Sequence, residues 1–159
     1  MSYQAVILTV SDSCAAGTRT DTSGPAIRAM LENAGFAVQA MQTVPDEEGQ
    51  ISAAIVHACD ILQADLVVTT GGTGLSARDV TPEATLAVLD REIRAIPVAM
   101  WVEGLKSTPR AMLSRAVAGI RGHTLVLNVP GSEKAARENL SAVVATLDHA
   151  LRMLAGGGH

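Results

Sequence analysis

Short apolar runs, each long enough for one strand, recur along the chain and are separated by segments of helical periodicity. The runs Tyr3 to Val10, Phe36 to Val44, Asp65 to Thr70 and Thr124 to Val129 have the length and apolar or alternating pattern of strands. Between them, apolar residues recur three or four positions apart, which is the spacing of an amphipathic helix. The segment Arg91 to Gly119 is helical only in pieces. Strand and helix otherwise alternate, which predicts a three-layer α/β domain whose mostly parallel sheet has helices on both faces.

Residues that commonly cap helices stand at the predicted helix starts. Ser23, Asp46, Thr81 and Ser132 each open a helical segment and carry a side-chain oxygen that can accept a hydrogen bond from the first turn. Pro82 follows Thr81, at a position where its missing N–H costs nothing. The sequence therefore predicts four helices that begin at these polar residues.

The length of 159 residues fits one domain with a sizeable core. No internal repeat or linker interrupts the pattern, so residues 1–155 are predicted to form a single domain and the glycine-rich tail 156–159 to be disordered. Hydrophobic residues make up 48% of the chain and charged residues only 18%. This balance indicates that part of the surface lies against neighbouring subunits of a homo-oligomer.

Charge and hydropathy argue against two classes of partner. The formal net charge is −4 and no lysine and arginine cluster occurs, which disfavours nucleic acid as a ligand. No run approaches the roughly 18 apolar residues that a membrane span requires. The N-terminus resembles a first strand rather than a secretory signal, so a cytoplasmic location is expected.

The stretch "TTGGTGLSARDVTPE", from Thr69 to Glu83, is the most unusual part of the chain. Glycines at 71, 72 and 74 leave the backbone bare directly after a predicted strand, and a helix begins near Thr81. Bare N–H groups beside a positive helix end suit an anion such as phosphate. The stretch matches neither a Walker A loop nor the dinucleotide fingerprint. A glycine-rich connection without a ligand is an equally open interpretation of this loop alone.

Two aspartates favour the phosphate interpretation. Asp79 lies within the loop and Asp46 follows the second predicted strand, and carboxylates beside bound phosphates commonly hold Mg²⁺. Arg78 either clamps a phosphate or is solvated. Cys14, Cys59 and the histidines share no metal-ligand spacing, and no nucleophile–histidine pair is evident.

Ligands of open α/β sheets bind beyond the carboxyl ends of the strands. Three polar turns occupy that position, namely Ser11 to Ser23, Gly71 to Thr81 and Pro130 to Ser132, and the turn at Asp46 is a fourth candidate. We therefore expect one cleft at this edge of the sheet. The residues by themselves indicate phosphate-ester or nucleotide chemistry and do not identify a substrate.

Six segments, in order along the chain, resemble motifs of the MogA/MoaB family of molybdenum-cofactor biosynthesis, which includes the G domain of gephyrin and its plant counterpart. The segments are "ILTVSD" (7–12), "TSGP" (22–25), "VPDE" (44–47), "TTGGTGLSARDVTPE" (69–83), "TPRAMLSRAVAGIRG" (108–122) and "LNVPGS" (127–132). Because they extend over almost the whole chain, the resemblance is highly specific.

The resemblance implies molybdopterin adenylyltransferase activity, in which Mg²⁺-ATP and molybdopterin give adenylylated molybdopterin and pyrophosphate. Asp46 and Asp79 match the two essential family aspartates and are expected to be the catalytic Mg²⁺ ligands. Ser11 and Asp12 fall where the nucleotide is expected. The expected substrate-binding residues are Gly71, Gly72, Thr73, Gly74, Arg78, Thr81, Ser114, Asn128, Pro130, Gly131 and Ser132. Among them, Ser114 and Asn128 match positions implicated in pterin binding.

The resemblance also leaves alternatives. The first loop, "DSCAAGTRTDTSG", resembles the MoaB branch, in which some members lack the activity, so a non-catalytic molybdopterin-binding or scaffold protein is one alternative. A CinA-type nucleotide pyrophosphatase domain is another, disfavoured by Thr73 and by the Arg78-Asp79 pair. The metal-insertion domain of MoeA proteins is the third, and it normally lies within a larger chain. The family forms trimers or hexamers, and a MoeA-type metal-insertion protein is an expected partner.

Overall fold

Six strands form one mixed sheet in the computed structural model, which describes residues 2–157. The strands are β1 (Gln4–Val10), β2 (Ala37–Val44), β3 (Leu66–Thr70), β4 (Arg91–Glu92), β5 (Ala118–Arg121) and β6 (Thr124–Val129). Their order across the sheet is β2-β1-β3-β6-β5-β4. The first four strands of this order run parallel, and β5 and β4 are antiparallel additions at one edge. The predicted α/β class and mostly parallel sheet are confirmed.

The two antiparallel strands are the elements that the sequence pattern missed. β4 has two residues and β5 has four, which is too short for an alternating pattern to be recognised. β5 joins β6 through a tight hairpin, in which Gly122 adopts a φ of +57° that glycine accommodates readily.

Helices cover both faces of the sheet. They are α1 (Asp12–Ala15), α2 (Ser23–Asn33), α3 (Glu48–Val56), α4 (Thr81–Leu86), α5 (Ala95–Leu105) and α6 (Glu133–Leu154), with a π-helical turn His57–Ile61 and a 3₁₀ turn Pro109–Leu113. The segment 91–119 is thus helical in pieces, as predicted. No helix among residues 2–157 is long and apolar enough to cross a membrane.

The sheet separates two apolar layers because successive side chains of a strand point to opposite faces. On β1, Ile7 packs with residues of α2, α5 and α6, whereas Leu8 packs with residues of α3 and α4. Both side chains are fully buried, which contributes roughly 1.5–3 kcal/mol each to the hydrophobic driving force. The three-layer arrangement therefore follows directly from the alternation in the sequence.

Of the predicted caps, Ser132 is confirmed and Ser23 is not. The Ser132 hydroxyl accepts a hydrogen bond from the backbone N–H of Ala135 (3.2 Å) at the start of α6. Ser23 is instead the first residue of α2, and its hydroxyl donates to Asp21 (3.3 Å). Asp21 also accepts from the N–H of Gly24 (3.0 Å), so this carboxylate satisfies the helix start.

Asp46 and Thr81 do not cap helices either. Helix α3 begins after Glu47, and the Asp46 carboxylate accepts a tertiary hydrogen bond instead. Thr81 is the first residue of α4, where its hydroxyl donates to the carbonyl of Gly71 (2.9 Å). Both predictions are wrong because tertiary acceptors and donors outcompete the local helix end.

The chain end closes α6 with a hydrogen-bonded glycine cap. The N–H of Gly156, at φ +85°, donates to the carbonyl of Met153 (3.0 Å), and the N–H of Gly157 donates to that of Arg152 (2.9 Å). This pair of bonds is the Schellman arrangement, which satisfies the last carbonyls of a helix. The first two residues of the predicted disordered tail are therefore ordered as a cap. Residues 158–159 lie outside the described residues.

Candidate active site

A cleft of about 790 Å³ opens at the carboxyl ends of the parallel strands. Val10 at the end of β1, Thr70 at the end of β3 and Pro130 after β6 all line it. The predicted turns thus meet at one edge of the sheet, as expected, and Asp46 completes the cleft from the end of β2.

Most predicted site residues line this cleft, and four do not. The lining residues are Ser11, Asp46, Gly71, Gly72, Thr73, Gly74, Asp79, Ser114, Pro130, Gly131 and Ser132. The four outside it are Asp12, Arg78, Thr81 and Asn128. The ligand roles assigned to the lining residues stay predictions, whereas direct ligand contact by these four finds no support in their positions.

The first two loop glycines are needed by the fold itself. Gly71 has a φ of +101° and Gly72 a φ of +70°, a region that L side chains rarely adopt. A Cβ on Gly71 would overlap the carbonyl oxygen of Val10, and one on Gly72 would overlap the hydroxyl of Thr81. The bare loop therefore has a structural cause that is independent of any ligand.

The backbone of the same loop nevertheless leaves donors at the cleft. The N–H of Gly71 donates to the carbonyl of Val129 (3.1 Å) and is used within the sheet. Among the described residues, the N–H groups of Gly72, Thr73 and Gly74 meet no protein acceptor. Because these three residues line the cleft, their amide dipoles are available to an anion there.

Asp46 is held by a reciprocal pair of hydrogen bonds with Asp12. The N–H of Asp12 donates to the Asp46 carboxylate, and the N–H of Asp46 donates to the Asp12 carboxylate, both at 2.9 Å. Partial burial raises the pKa of Asp46, and the nearby Asp12 and Asp79 carboxylates raise it further. Asp46 is therefore a partly buried carboxylate with two other carboxylates nearby, and a bound cation would offset their charge.

Asp79 lies in a turn that it closes itself. Its carboxylate accepts from the N–H of Ser76 (3.0 Å), and its own N–H donates to the Ser76 carbonyl (3.0 Å). The carboxylate also faces Gly74, where an added Cβ would lie 2.9 Å from Oδ2. Gly74 is thus the loop position at which a side chain would displace Asp79.

The donor set fits Mg²⁺ better than a transition metal. No group of three or more histidine, cysteine, aspartate or glutamate side chains suited to a metal occurs within residues 2–157. Mg²⁺ typically takes one or two carboxylates, several waters and substrate phosphate oxygens, so Asp46 and Asp79 are a sufficient protein contribution.

Arg78 is bound to carboxylates of this chain and is not simply solvated. Its guanidinium donates to both carboxylate oxygens of Asp12 (3.0 Å each) and to Glu47 (2.9 Å). Hydrogen bonding from Arg78 is the main cause that lowers the pKa of Asp12. Because Asp12 in turn bonds Asp46, Arg78 stabilises the position of Asp46 without lining the cleft itself.

Asn128 and Thr81 are buried in the protein and do not face the cleft. The amide of Asn128 donates to the hydroxyls of Thr69 (2.8 Å) and Thr85 (3.0 Å) and accepts from the N–H of Val117 (3.2 Å). Its hydrogen-bonding capacity is therefore used inside the fold. Direct pterin contact through this side chain therefore finds no support in its position.

Sequence reasoning missed several residues that shape the cleft. Asp21 lines it and accepts from the Thr9 hydroxyl (2.7 Å), which ties the loop before α2 to the end of β1. The signal was the Asp-x-x-Gly spacing of a local side-chain cap, since Gly24 donates to the same carboxylate. The cationic residues that line the cleft are Arg19, Arg110 and Lys134.

Comparisons with known proteins agree with the motifs. The family described as "Probable molybdopterin binding domain" matches residues 6–149. Molybdopterin adenylyltransferase of Helicobacter pylori is 38% identical over 154 residues, which cover 94% of this chain and 86% of that protein. The structure of the molybdopterin biosynthesis enzyme MoaB from Thermus thermophilus is 49% identical, with a TM-score of 0.92 and 97% of each chain covered. A MogA structure is 40% identical, with a TM-score of 0.88 and coverage of 95% and 99%.

Some relatives are much longer. The chain spans 25% of the cinnamon protein of Drosophila melanogaster, 22% of gephyrin of Dictyostelium discoideum and 49% of a bifunctional protein of Chlorobaculum tepidum. The matched region is in each case nearly all of this chain, so the shared unit is the α/β domain itself. The chain therefore belongs to the molybdopterin-binding-domain family of molybdenum cofactor biosynthesis, the MogA/MoaB family that its six motifs resemble.

Proposed function

We propose that this chain transfers the adenylyl group of ATP to molybdopterin. The terminal phosphate of molybdopterin attacks the α-phosphorus of ATP, the bond between the α- and β-phosphates breaks, and pyrophosphate leaves. The products are adenylylated molybdopterin and pyrophosphate. Such a reaction needs no protein nucleophile, because positioning and charge stabilisation can supply the rate.

One observation carries the proposal: two aspartates line the same cleft as three residues whose backbone N–H groups meet no protein acceptor within residues 2–157. Asp46 and Asp79 line it together with the bare segment Gly72 to Gly74. Carboxylates suit the cation and amide dipoles suit phosphate oxygens, so one site offers both halves of a Mg²⁺-nucleotide. The name of the Helicobacter pylori relative supports the same reaction.

Each group of cleft residues has a distinct role in the proposed reaction. The N–H groups of the loop hold phosphate oxygens and stabilise the negative charge on the oxygens around the α-phosphorus. Asp46 and Asp79 would hold Mg²⁺, which when bound neutralises phosphate charge. Asp12 and Arg78 keep Asp46 in place from outside the cleft. Ser114, which also lines the cleft, is assigned to the pterin.

The proposal is tested by supplying Mg²⁺-ATP with and without molybdopterin. Pyrophosphate release and a molybdopterin–adenylyl adduct are expected only when molybdopterin, ATP and Mg²⁺ are all present. Omission of Mg²⁺ tests whether the reaction requires the cation that the aspartates are proposed to hold. Replacement of ATP by GTP tests the nucleotide preference. Release of pyrophosphate without molybdopterin would instead indicate a CinA-type hydrolase.

A non-catalytic molybdopterin-binding protein is the second candidate. The first loop resembles the MoaB branch, and the Thermus thermophilus MoaB is 49% identical to this chain. The two candidates differ in one measurement, because a binding protein retains molybdopterin without forming an adduct when Mg²⁺-ATP is added.

Assembly, partner and location complete the proposal. Val98, Val102 and Leu105 are about half exposed on one side of α5, at 49%, 56% and 45%. An apolar stripe at this spacing suits a subunit interface and supports a homotrimer or homohexamer.

A cytoplasmic location and transfer of the adenylylated product to a MoeA-type metal-insertion protein are also proposed.

A further inference from the structure

Arg115 connects both ends of the glycine-rich loop. Its backbone N–H donates to the carbonyl of Thr73 (2.8 Å), and its Nε donates to that of Gly74 (2.8 Å). Its Nη2 donates to the carbonyl of Asp79 (2.7 Å), and its Nη1 pairs with the carboxylate of Glu83 in the first turn of α4. One residue thus contacts the start of the loop, its end and the helix that follows.

The contact geometry requires arginine rather than a generic cation. The three side-chain partners lie in different directions around one guanidinium, which presents a planar fork of donors. A lysine at this position offers a single ammonium that cannot span two carbonyls and a carboxylate at once. Charge-assisted hydrogen bonds to backbone carbonyls are also stronger than neutral ones.

Arg115 is itself held by the sheet. Two residues later, Val117 exchanges hydrogen bonds with Asn128 of β6: its N–H donates to the Asn128 amide oxygen (3.2 Å), and its carbonyl accepts from the Asn128 N–H (3.0 Å). Asn128 is fully buried and also bonds Thr69 and Thr85, so this attachment lies within the packed sheet. The guanidinium therefore extends to the loop from a fixed base.

Arg115 does not line the cleft, so it acts through its partners. The Asp79 carboxylate lies against Gly74, and both of these residues accept from the same guanidinium through their carbonyls. We infer that Arg115 is a positioning residue that fixes the Asp79 carboxylate relative to Asp46 for cation binding. This inference rests on the proposed Mg²⁺ site.

The test compares Arg115→Lys and Arg115→Gln with the wild type in a Mn²⁺ titration followed by electron paramagnetic resonance, without nucleotide or pterin. We expect the Arg115 variants to bind Mn²⁺ roughly 10-fold or more weakly than the wild type, which is the typical effect of replacing a residue that orients a metal ligand. Amide hydrogen exchange over residues 73–79 should also become faster. Glu83→Gln removes one anchor only and should give a smaller loss.

Arg121→Lys is the matched control. Arg121 also pairs with a carboxylate, that of Asp60 (2.7 Å), and donates to a carbonyl, that of Val88 (2.9 Å), but neither of these partners lines the cleft. Its replacement should leave Mn²⁺ affinity unchanged. Unfolding midpoints of all variants exclude a general loss of structure.

Two results would overturn the inference: wild-type Mn²⁺ affinity in both Arg115 variants, or no Mn²⁺ binding by the wild type. Failure of the proposed function gives a different result. In that case the wild type binds Mn²⁺, the Arg115 variants bind it more weakly, and no adduct forms from molybdopterin and ATP.

Discussion

Asp46 and Asp79 hold their carboxylates against two glycines of one loop. Asp46 Oδ1 lies 3.2 Å from the point that a Cβ on Gly72 would occupy, and Asp79 Oδ2 lies 2.9 Å from the corresponding point on Gly74. The two carboxylates therefore approach the same loop, and Asp79 is one of the charges that raise the pKa of Asp46. A cation held by these two residues would offset their negative charge.

Asp79→Asn should abolish adenylyl transfer while the fold and pterin binding survive. The amide keeps the size of the side chain and its acceptor for the Ser76 N–H, but it removes the charge. We expect a rate loss of at least about 100-fold, comparable with the removal of a group that stabilises transition-state charge. Adduct formation and molybdopterin binding are measured in parallel, and full activity in this variant would refute the Mg²⁺ role.

Asp46→Asn should lose activity without losing stability. A raised pKa means that the folded protein binds the proton more tightly than the unfolded chain, so ionisation at neutral pH disfavours the folded state. The asparagine removes this cost and still accepts from the Asp12 N–H. The thermal midpoint at pH 7 should therefore not fall. A clearly lower midpoint would show that the charge itself stabilises the fold.

As the pH is lowered, cation binding should weaken at a higher pH than it would with an aspartate of ordinary pKa. The Asp46 carboxylate must be ionised to bind a cation, and its pKa lies above the usual 3.8 because of burial. Mn²⁺ affinity is therefore expected to fall with a midpoint above that value. In Asp12→Asn one neighbouring negative charge is absent, so the midpoint should move to lower pH. An unchanged midpoint would exclude coupling between the two aspartates.

Gly71→Ala should destabilise the protein severely. The backbone at φ +101° costs a non-glycine residue on the order of 1–3 kcal/mol, and the added Cβ meets the carbonyl of Val10 as well. Gly49→Ala in α3 is the control, since nothing lies within 4 Å of its added Cβ and alanine favours helices. Urea unfolding of both variants measures the difference. Equal stabilities would mean that the loop readily adopts another conformation.

Val102→Glu should dissociate the proposed oligomer. Val102 is 56% exposed and lies between Val98 and Leu105 on α5. If this stripe is a subunit interface, the glutamate carboxylate would be buried there without a partner, which disfavours association. Ile61→Glu, at 68% exposure after α3, is the control on the other face of the sheet. Sedimentation analysis decides: a Val102 variant with the wild-type mass would place the interface elsewhere.

Local sequence pattern accounts for the central strands and for the position of the cleft. The four parallel strands are apolar or alternating runs of sufficient length, and polar turns follow them in the sequence. Because parallel strands bring their carboxyl ends to one edge, the turns at Ser11, Asp46, Gly71 and Pro130 converge there without further information.

Other features depend on contacts between residues that are distant in the chain. Asp46 reads as a helix cap, yet it binds Asp12, 34 positions away. The motif around Asn128 predicts a ligand residue, yet its amide donates to the hydroxyls of Thr69 and Thr85 inside the fold. Arg115 belongs to the motif at 108–122, but no local pattern indicates its role, since its partner Asp79 lies 36 positions away.

The sequence by itself thus determined the strand–helix alternation, the bare loop and the family, because these depend on periodicity and on motifs of neighbouring residues. Only the tertiary structure decided which oxygen accepts which N–H. A polar side chain at a strand end or helix start has several possible partners of similar energy, and the packed arrangement of the whole chain selects among them.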